Sequence, residues 1–430
     1  MATSVLWFRR DLRLADQPAL HAALGDGDDV VPLFVLDPRL EKAAGSPRLA
    51  FLDGCLAELH ERTGGALVVR RGDPAVEVAA VAREVEAGAV HATTAFGPYG
   101  AARDASVADA LDGRLELVDS PYAVAPGRVR TATGTPYRVF TPWARAWAAE
   151  WHGRPLGEPA DPRWATGVRS EPLPDRTDDR ILPPGEQAGL ARLRAFRAGA
   201  LDGYATRRDV PGEDGTSRLS VYLKYGCIHP RQCLEGLGRG QDADRFRTEL
   251  AWREFYADVV HHRPESLWGA LRPEIAYDTG RDADARFDAW ATGRTGYPIV
   301  DAGMRQLLGE AWMHNRVRMI VASFLVKDLH LDWRRGARHF LEHLQDGDVA
   351  SNNHGWQWVA GTGTDPAPFH RVFNPVRQGR TFDPDGSYVR RWVPELRDVV
   401  GDIHEPRSPI VDHAEERREA LRRFAEAGAR

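Results

Sequence analysis

The chain has little cysteine: three residues in 430, Cys55, Cys227 and Cys233, with no C-x-x-C pair among them. That excludes a disulfide framework and a cysteine-rich zinc site. No apolar run of about 18 residues occurs, so no membrane span is expected. The short apolar stretch 1–8 passes straight into Arg9 and Arg10, which is too short for a secretory leader and points to a cytoplasmic protein. Neither a G-x-G-x-x-G nor a Walker lysine is present, so a dinucleotide or NTP role has no motif behind it. Positive charge is not in excess either, with 57 basic and 62 acidic residues and a net charge of −5. A uniformly basic surface is excluded, whereas a local groove for nucleic acid is not. Internal repeats and low-complexity blocks are absent.

What is present is length enough for two domains or more, 13 tryptophans, and arginine in large excess over lysine. Arginine forks suit phosphate contacts, although a GC-rich genome produces the same bias. Over residues 1–120, apolar runs at 5–8, 30–36, 66–70, 89–92 and 115–118 alternate with amphipathic stretches such as 47–61 and 74–86. Strands alternating with helices imply an α/β domain built on a doubly wound parallel sheet. Trp143, Trp147 and Trp151 fall at i, i+4 and i+8, a core or interdomain stripe. Residues 155–185, rich in Pro, Asp and Arg, read as a long linker. From about 190 the pattern is helical, over 190–202, 218–225, 230–235, 245–261, 297–308, 311–328 and 334–344, an all-α domain. After Pro384 the chain reads as irregular, ending in a charged, solvated helix at 414–427. The division expected is 1–130, linker 131–190, helical domain 191–395 and tail 396–430.

Four constellations carry chemistry. Asp214-Gly215-Thr216-Ser217-Arg218-Leu219-Ser220 puts hydroxyls and free N–H groups at a helix start, suited to a phosphate or to an ordinary Thr/Ser N-cap. In the second, Glu249, Trp252, Arg253 and Tyr256 share one helix face, a mixture wrong for an apolar core. It is either an exposed face with a Glu249–Arg253 pair or the edge of a polar pocket whose indole stacks on a base. In the third, Asn315 and Met319 share a face between Arg316 and Arg318. An amide reads the polar edge of a base and a thioether packs on its ring; in isolation the same stretch is a buried helix with capped arginines. The fourth, Asp346-Gly347-Asp348, precedes Asn352-Asn353-His354-Gly355-Trp356-Gln357-Trp358. Its acids could hold a cation, accept from a nucleotide cofactor or neutralise Arg318, but no calcium-loop spacing follows.

Together these blocks closely resemble the DNA photolyase and cryptochrome family. The likeness extends to Trp7-Phe8-Arg9-Arg10-Asp11-Leu12-Arg13, to Gly296-Tyr297-Pro298-Ile299-Val300-Asp301-Ala302-Gly303-Met304-Arg305, to Arg371-Val372-Phe373-Asn374-Pro375 and to Gln378-Gly379. It implies an N-terminal antenna domain and a helical domain holding FAD folded in a U. Tyr204 and Thr216, Ser217, Arg218, Leu219 and Ser220 would hold the phosphates. Asp346, Gly347 and Asp348 would lie along the flavin, with Arg318 pairing Asp346. Phe246, Glu249 and Arg253 would complete the cofactor shell, and Asn352 would accept a hydrogen bond from N5–H of the reduced flavin. Glu249, Trp252, Asn315, Met319 and Trp358 match the pocket for a flipped-out pyrimidine dimer, whose impaired stacking lowers the energy of extrusion. Asn315 and Met319 favour the class I, cyclobutane-dimer branch over the (6-4) branch, and Asn352 favours a photolyase over a cryptochrome-type photoreceptor. The implied reaction is light-driven: excited reduced FAD lends an electron, the cyclobutane bonds split and the electron returns. Arg208, Trp252, Asn315, Arg316, Arg371 and Gln378 match contacts to UV-damaged DNA, which position the strand without reading sequence. The likeness implies a monomer with no metal.

Two features depart from the family pattern. Trp356 and Trp333 match the inner members of its three-tryptophan reduction chain, but 278–286 holds no aromatic for the outer one; Tyr277 or Trp268 could stand in. At the antenna site, Tyr99 and Gly100 replace the polar pair that precedes Ala102-Arg103-Asp104 in folate-type members, and the histidine before Ser46-Pro47 is absent. This speaks against methenyltetrahydrofolate and for a deazaflavin such as 8-HDF, or for no antenna.

Overall fold

The five apolar runs of the first 120 residues become five parallel strands. In the computed structural model, which describes residues 3–26, 29–150, 153–365 and 371–428, these are β1 (Thr3–Phe8), β2 (Asp29–Leu36), β3 (Val68–Arg71), β4 (Ala89–Thr93) and β5 (Leu115–Val118), in sheet order β3-β2-β1-β4-β5. Between them run α1 (Pro18–Asp26), α2 (Pro38–Ala43), α3 (Ser46–Arg62), α4 (Pro74–Glu84) and α5 (Pro98–Ala110). β1 is buried along nearly its whole length, as a central strand covered on both faces must be. Chain order reverses between β1 and β4, the switch point of a doubly wound sheet.

There Trp7-Phe8-Arg9-Arg10-Asp11-Leu12-Arg13 leaves β1 and turns inward. Asp11 accepts from Arg9 N–H at 2.6 Å and from the Thr93 hydroxyl at 2.6 Å. Arg9 pairs with Asp104 at 2.7 Å and stacks on Trp7; burial pulls its proton affinity down to about 10. Arg13, also buried, donates to the carbonyls of Asp16 and Gly226.

The segment 155–185 is irregular, as its composition predicts, but it does more than link. Trp164 bridges to Val30, and Glu171 N–H donates to Val69 O at 2.8 Å, so the segment lies along β2 and the outer strand β3. Covering a free strand edge blocks unwanted pairing.

Next come α6 (Phe140–Glu150), α7 (Glu186–Ala198), the short α8 (Tyr204–Arg207), α9 (Ser220–Tyr225), α10 (Pro230–Leu234) and the long α11 (Gln241–His262). Trp143 and Trp147 of α6 are buried, as a core stripe requires; Trp151 lies outside the described residues. Contacts divide the chain into two units: Met1–Gly199 with Ser217–Pro264, and Ala200–Thr216 with Glu265–Arg430.

The second unit contains α12 (Arg281–Ala291), α13 (Pro298–Glu310), α14 (Asn315–Ser323), α15 (Trp333–His343), α16 (Val349–Ala360), α17 (Pro375–Phe382), α18 (Ser387–Trp392) and α19 (His413–Gly428). Its core gathers Trp290, Met304, Val317, Phe324, Trp333, Phe340 and Trp356. The helix expected over 311–328 starts later, at Asn315, because His314 caps it. It then widens over Phe324–Asp328 into i→i+5 bonding. The stretch after Pro384 is not irregular throughout, since α18 forms there. The solvated terminal helix is also corrected: α19 is docked, with Ala420 fully buried, His413 on Asp328 at 2.5 Å and Arg423 on Asp278 at 2.7 Å. No helix among the described residues is long and apolar enough to cross a membrane.

Candidate flavin and substrate site

In the first unit α11 is fixed from its buried side. Glu254 accepts from the N–H groups of Ala123 (2.5 Å) and Val124 (3.1 Å) and from the Trp147 indole (2.6 Å). One turn on, Asp258 accepts from Gly127 N–H (2.6 Å) and the Trp143 indole (3.2 Å). Burial pushes both carboxyls upward, and these donors oppose the shift. The tryptophan stripe thus serves as a core that also satisfies two buried acids.

Trp252 is half-buried and stacks on Phe140, with ring centres 3.5 Å apart and planes 7° from parallel; Tyr256 lies 5.4 Å away. Sequence reasoning missed Phe140, although it stands three residues ahead of Trp143. The Glu249–Arg253 pair does not form. Glu249 lies 3.6 Å from Arg245, one turn earlier, while Arg253 covers the Tyr122 ring and donates to Leu223 O at 3.0 Å. Phe246 is buried against Phe196, ring centres 4.8 Å apart. In the 217–220 loop the Ser217 hydroxyl accepts from Leu219 N–H at 3.4 Å. Leu219 occupies the N-cap of α9 with no side-chain cap bond, and Arg218 holds a left-handed φ of 50°. Such strain in a non-glycine residue persists only where the surroundings impose it.

In the second unit Tyr204 is buried and the Arg208 guanidinium lies over its ring at 5.7 Å. Arg208, expected as a DNA contact, is only 6% exposed. Thr216 is half-buried. On α14, Asn315 is exposed and Met319 is half-buried against the helical core, as is Trp358 of α16. Arg316 pairs with Asp209 at 3.0 Å and stacks on Phe382. Arg318 grips both oxygens of Asp346, at 2.9 and 3.2 Å. Asp348 caps α16 by accepting from Ser351 N–H at 3.1 Å, two residues beyond Asp346 across Gly347. One acid is thus engaged by a guanidinium and the other at a helix end. Arg371 is exposed and Gln378 half-buried in the first turn of α17.

Two atoms test whether these residues fit a reduced flavin. The Asn352 amide nitrogen donates to Ala337 O at 3.1 Å and to Asn353 Oδ1 at 2.9 Å. Both donors are used within the chain, so what Asn352 can still offer is a neutral acceptor oxygen. The indole nitrogen of Trp356 is buried with no hydrogen-bond partner among the described residues. Its ring meets Phe340 at 5.0 Å and Trp290 at 6.0 Å, and a Cβ on Gly336 would come within 2.1 Å of it. Trp333 is fully buried, its indole donating to Glu274 at 3.1 Å. Of the two stand-ins for an outer tryptophan, Tyr277 is packed against the core, whereas Trp268 is 37% exposed.

The profile described as DNA photolyase matches residues 4–162, and that described as the FAD binding domain of DNA photolyase matches 246–426. A deoxyribodipyrimidine photo-lyase of Streptomyces griseus is 44% identical, over 97% of this chain and 98% of that one. The chain belongs to the DNA photolyase family. Among solved structures, a bacterial class III photolyase from Agrobacterium tumefaciens superposes with a TM-score of 0.91 at 37% identity, covering 100% of this chain and 98% of that one. A cryptochrome from Synechocystis sp. PCC6803 superposes at 0.89 and 27% identity, covering 98% and 99%. The chain thus carries the α/β region and the FAD-binding domain of the photolyase family.

Proposed function

We propose that this chain is a deoxyribodipyrimidine photo-lyase that repairs cyclobutane pyrimidine dimers in DNA under light. The observation that carries the reading is Asn352, a neutral amide whose donors are consumed by Ala337 O and Asn353. Its oxygen can accept from a reduced flavin ring without adding charge. Reduced FAD, when bound and excited, supplies the electron that opens the cyclobutane ring.

The chain's own residues bind and orient. The phosphates fall to Tyr204, Thr216, Ser217, Arg218, Leu219 and Ser220. Asp346, held by Arg318, and Asp348, held at a helix start, present fixed acceptors to the cofactor. Trp252, braced by Phe140, offers a flat face to a base, and Glu249 a carboxylate to the carbonyl edge of the dimer. Asn315, Met319 and Trp358 supply the remaining amide, thioether and indole contacts, with Arg316, Arg371 and Gln378 toward the strand. Trp356 and Trp333 deliver electrons for photoreduction, and the exposed Trp268 is the better stand-in for the outer member. A deazaflavin such as 8-HDF, or no antenna, suits the chain better than a folate, and the absorption spectrum of the purified protein separates the three.

The test is illumination of the reduced protein with an oligonucleotide bearing one thymine dimer. Restoration of intact thymines supports the assignment; its absence overturns it in favour of a cryptochrome-type photoreceptor. Glu249→Ala should lower the repair yield with FAD retained. Loss of FAD in that variant would move Glu249 to the cofactor.

A further inference from the structure

In a chain whose 57 basic residues are almost all arginine, lysine stands only at positions 42, 224 and 327. Lys327 is the buried one, 1% exposed, inside the wide turn Phe324–Asp328 that ends α14. Turns of this kind recur at functional sites, where they redirect a side chain. Burying an ammonium is unfavourable, and burial lowers the proton affinity of Lys327 to about 8. A group kept at that disadvantage invites a reason, and its contacts supply one. Its Nζ donates to the backbone carbonyl of Arg371 at 2.8 Å and lies 5.6 Å from the ring centre of Phe424 on α19. From the last residue of α14, the Ser323 hydroxyl accepts from Phe373 N–H at 3.4 Å. The 371–373 backbone is therefore fastened at both ends to one helix terminus, while the Arg371 side chain is exposed. The lysine grips the carbonyl, and the exposed guanidinium can face a ligand.

We propose that Lys327 is a positioning residue for damaged DNA: it fixes the backbone from which Arg371 reaches a strand phosphate. The inference rests on the reading of Arg371 as a DNA contact. Because Lys327 acts through Arg371, removing either should remove the same phosphate contact. Because it acts through a hydrogen bond, a neutral donor should largely replace it.

The experiment measures binding of the full-length, FAD-loaded protein to a duplex carrying a single thymine dimer, across a salt series. Arg371→Ala and Lys327→Met should each weaken binding about fivefold, the size of one exposed charge contact. Each should also reduce the salt slope by about 0.9, the signature of one lost phosphate. The double variant should bind no worse than Arg371→Ala alone. Lys327→Gln should recover most of the affinity, with an unchanged flavin spectrum throughout. If Arg371→Ala weakens binding while Lys327→Met does not, or if the two losses multiply, the positioning role is overturned. If Arg371→Ala has no effect, the reading of Arg371 falls and the inference with it. Should Lys327→Met fail to fold, Ser323→Ala removes the second fastening. It should weaken binding about twofold, a weak hydrogen bond's share, with no added loss beside Arg371→Ala; a multiplied loss or no loss overturns the proposal.

Discussion

Trp252 owes its orientation to Phe140, whose ring lies 3.5 Å away and nearly parallel. Stacked aromatic pairs contribute about 0.5–1.5 kcal/mol beyond buried area, so Phe140→Ala should free the indole to sample other rotamers. The expected result is a loss of roughly three- to tenfold in affinity for a dimer-containing oligonucleotide, measured by fluorescence anisotropy, with flavin absorbance intact. Unchanged affinity would mean that Trp252 is held by the rest of its helix, or is no base platform. This scale is where sequence reasoning reached least far. Helical spacing offered Arg253 as partner to Glu249, yet Arg253 turns to Tyr122, far away in the chain. Spacing gives the neighbours within a helix, whereas partner choice depends on what folding brings to it from elsewhere. Arg208 shows the same limit, since burial cannot be read from residue type. The pairing of Arg318 with Asp346 came from family likeness, and the structure has it.

At the scale of elements, α14 joins readable and unreadable features. Its helical character is plain in the sequence, but residues 320–331 are buried throughout, so no amphipathic period marks the wide turn at Phe324–Asp328. Its cap is equally hidden: His314 is buried and its ring Nδ1 accepts from Arg316 N–H at 3.2 Å, which requires a neutral imidazole. Burial lowers the proton affinity of this ring to about 4. A group depressed on folding lends stability above its unfolded value near 6.5 and loses it as pH falls toward the folded one. Stability should therefore decline between pH 6.5 and 4, with His314 accounting for up to roughly 3 kcal/mol of the change. His354, also buried and lowered to about 4, adds to the same limb. Asparagine also caps helices well and carries no titrating proton. His314→Asn should flatten the decline, read as denaturant midpoints between pH 4.5 and 7.5. An equally steep limb in that variant would show that His314 is not responsible.

For the whole molecule, alternation of strands and helices gave the sheet, with strand ends within about two residues, because fully buried parallel strands read as unbroken apolar runs. The grouping of Ser217–Pro264 with the sheet-bearing unit was not legible, since an unbroken helical pattern says nothing about which neighbour each helix packs on. The terminal segment misled more. Its abundant charges read as a solvated helix, but several of them are partners for buried or half-buried groups. His413 meets Asp328, Glu416 meets His330 and Arg423 meets Asp278, around a thin apolar stripe. Ala420 sits fully buried in that stripe, whereas Ala414 is exposed on the same helix. One substitution at two positions therefore separates docking from helix propensity. Ala420→Glu forces a carboxylate into a packed interior and should destabilise by roughly 2–4 kcal/mol. Ala414→Glu, in the first turn where an acid favours the helix dipole, should stay within about 0.5 kcal/mol of the parent. Thermal melts of the two FAD-bound variants, followed by helix signal and flavin release, give the comparison. A clear drop for Ala420→Glu alone is the expected outcome. Equal melting of the two would return α19 to the solvated tail that its composition suggests.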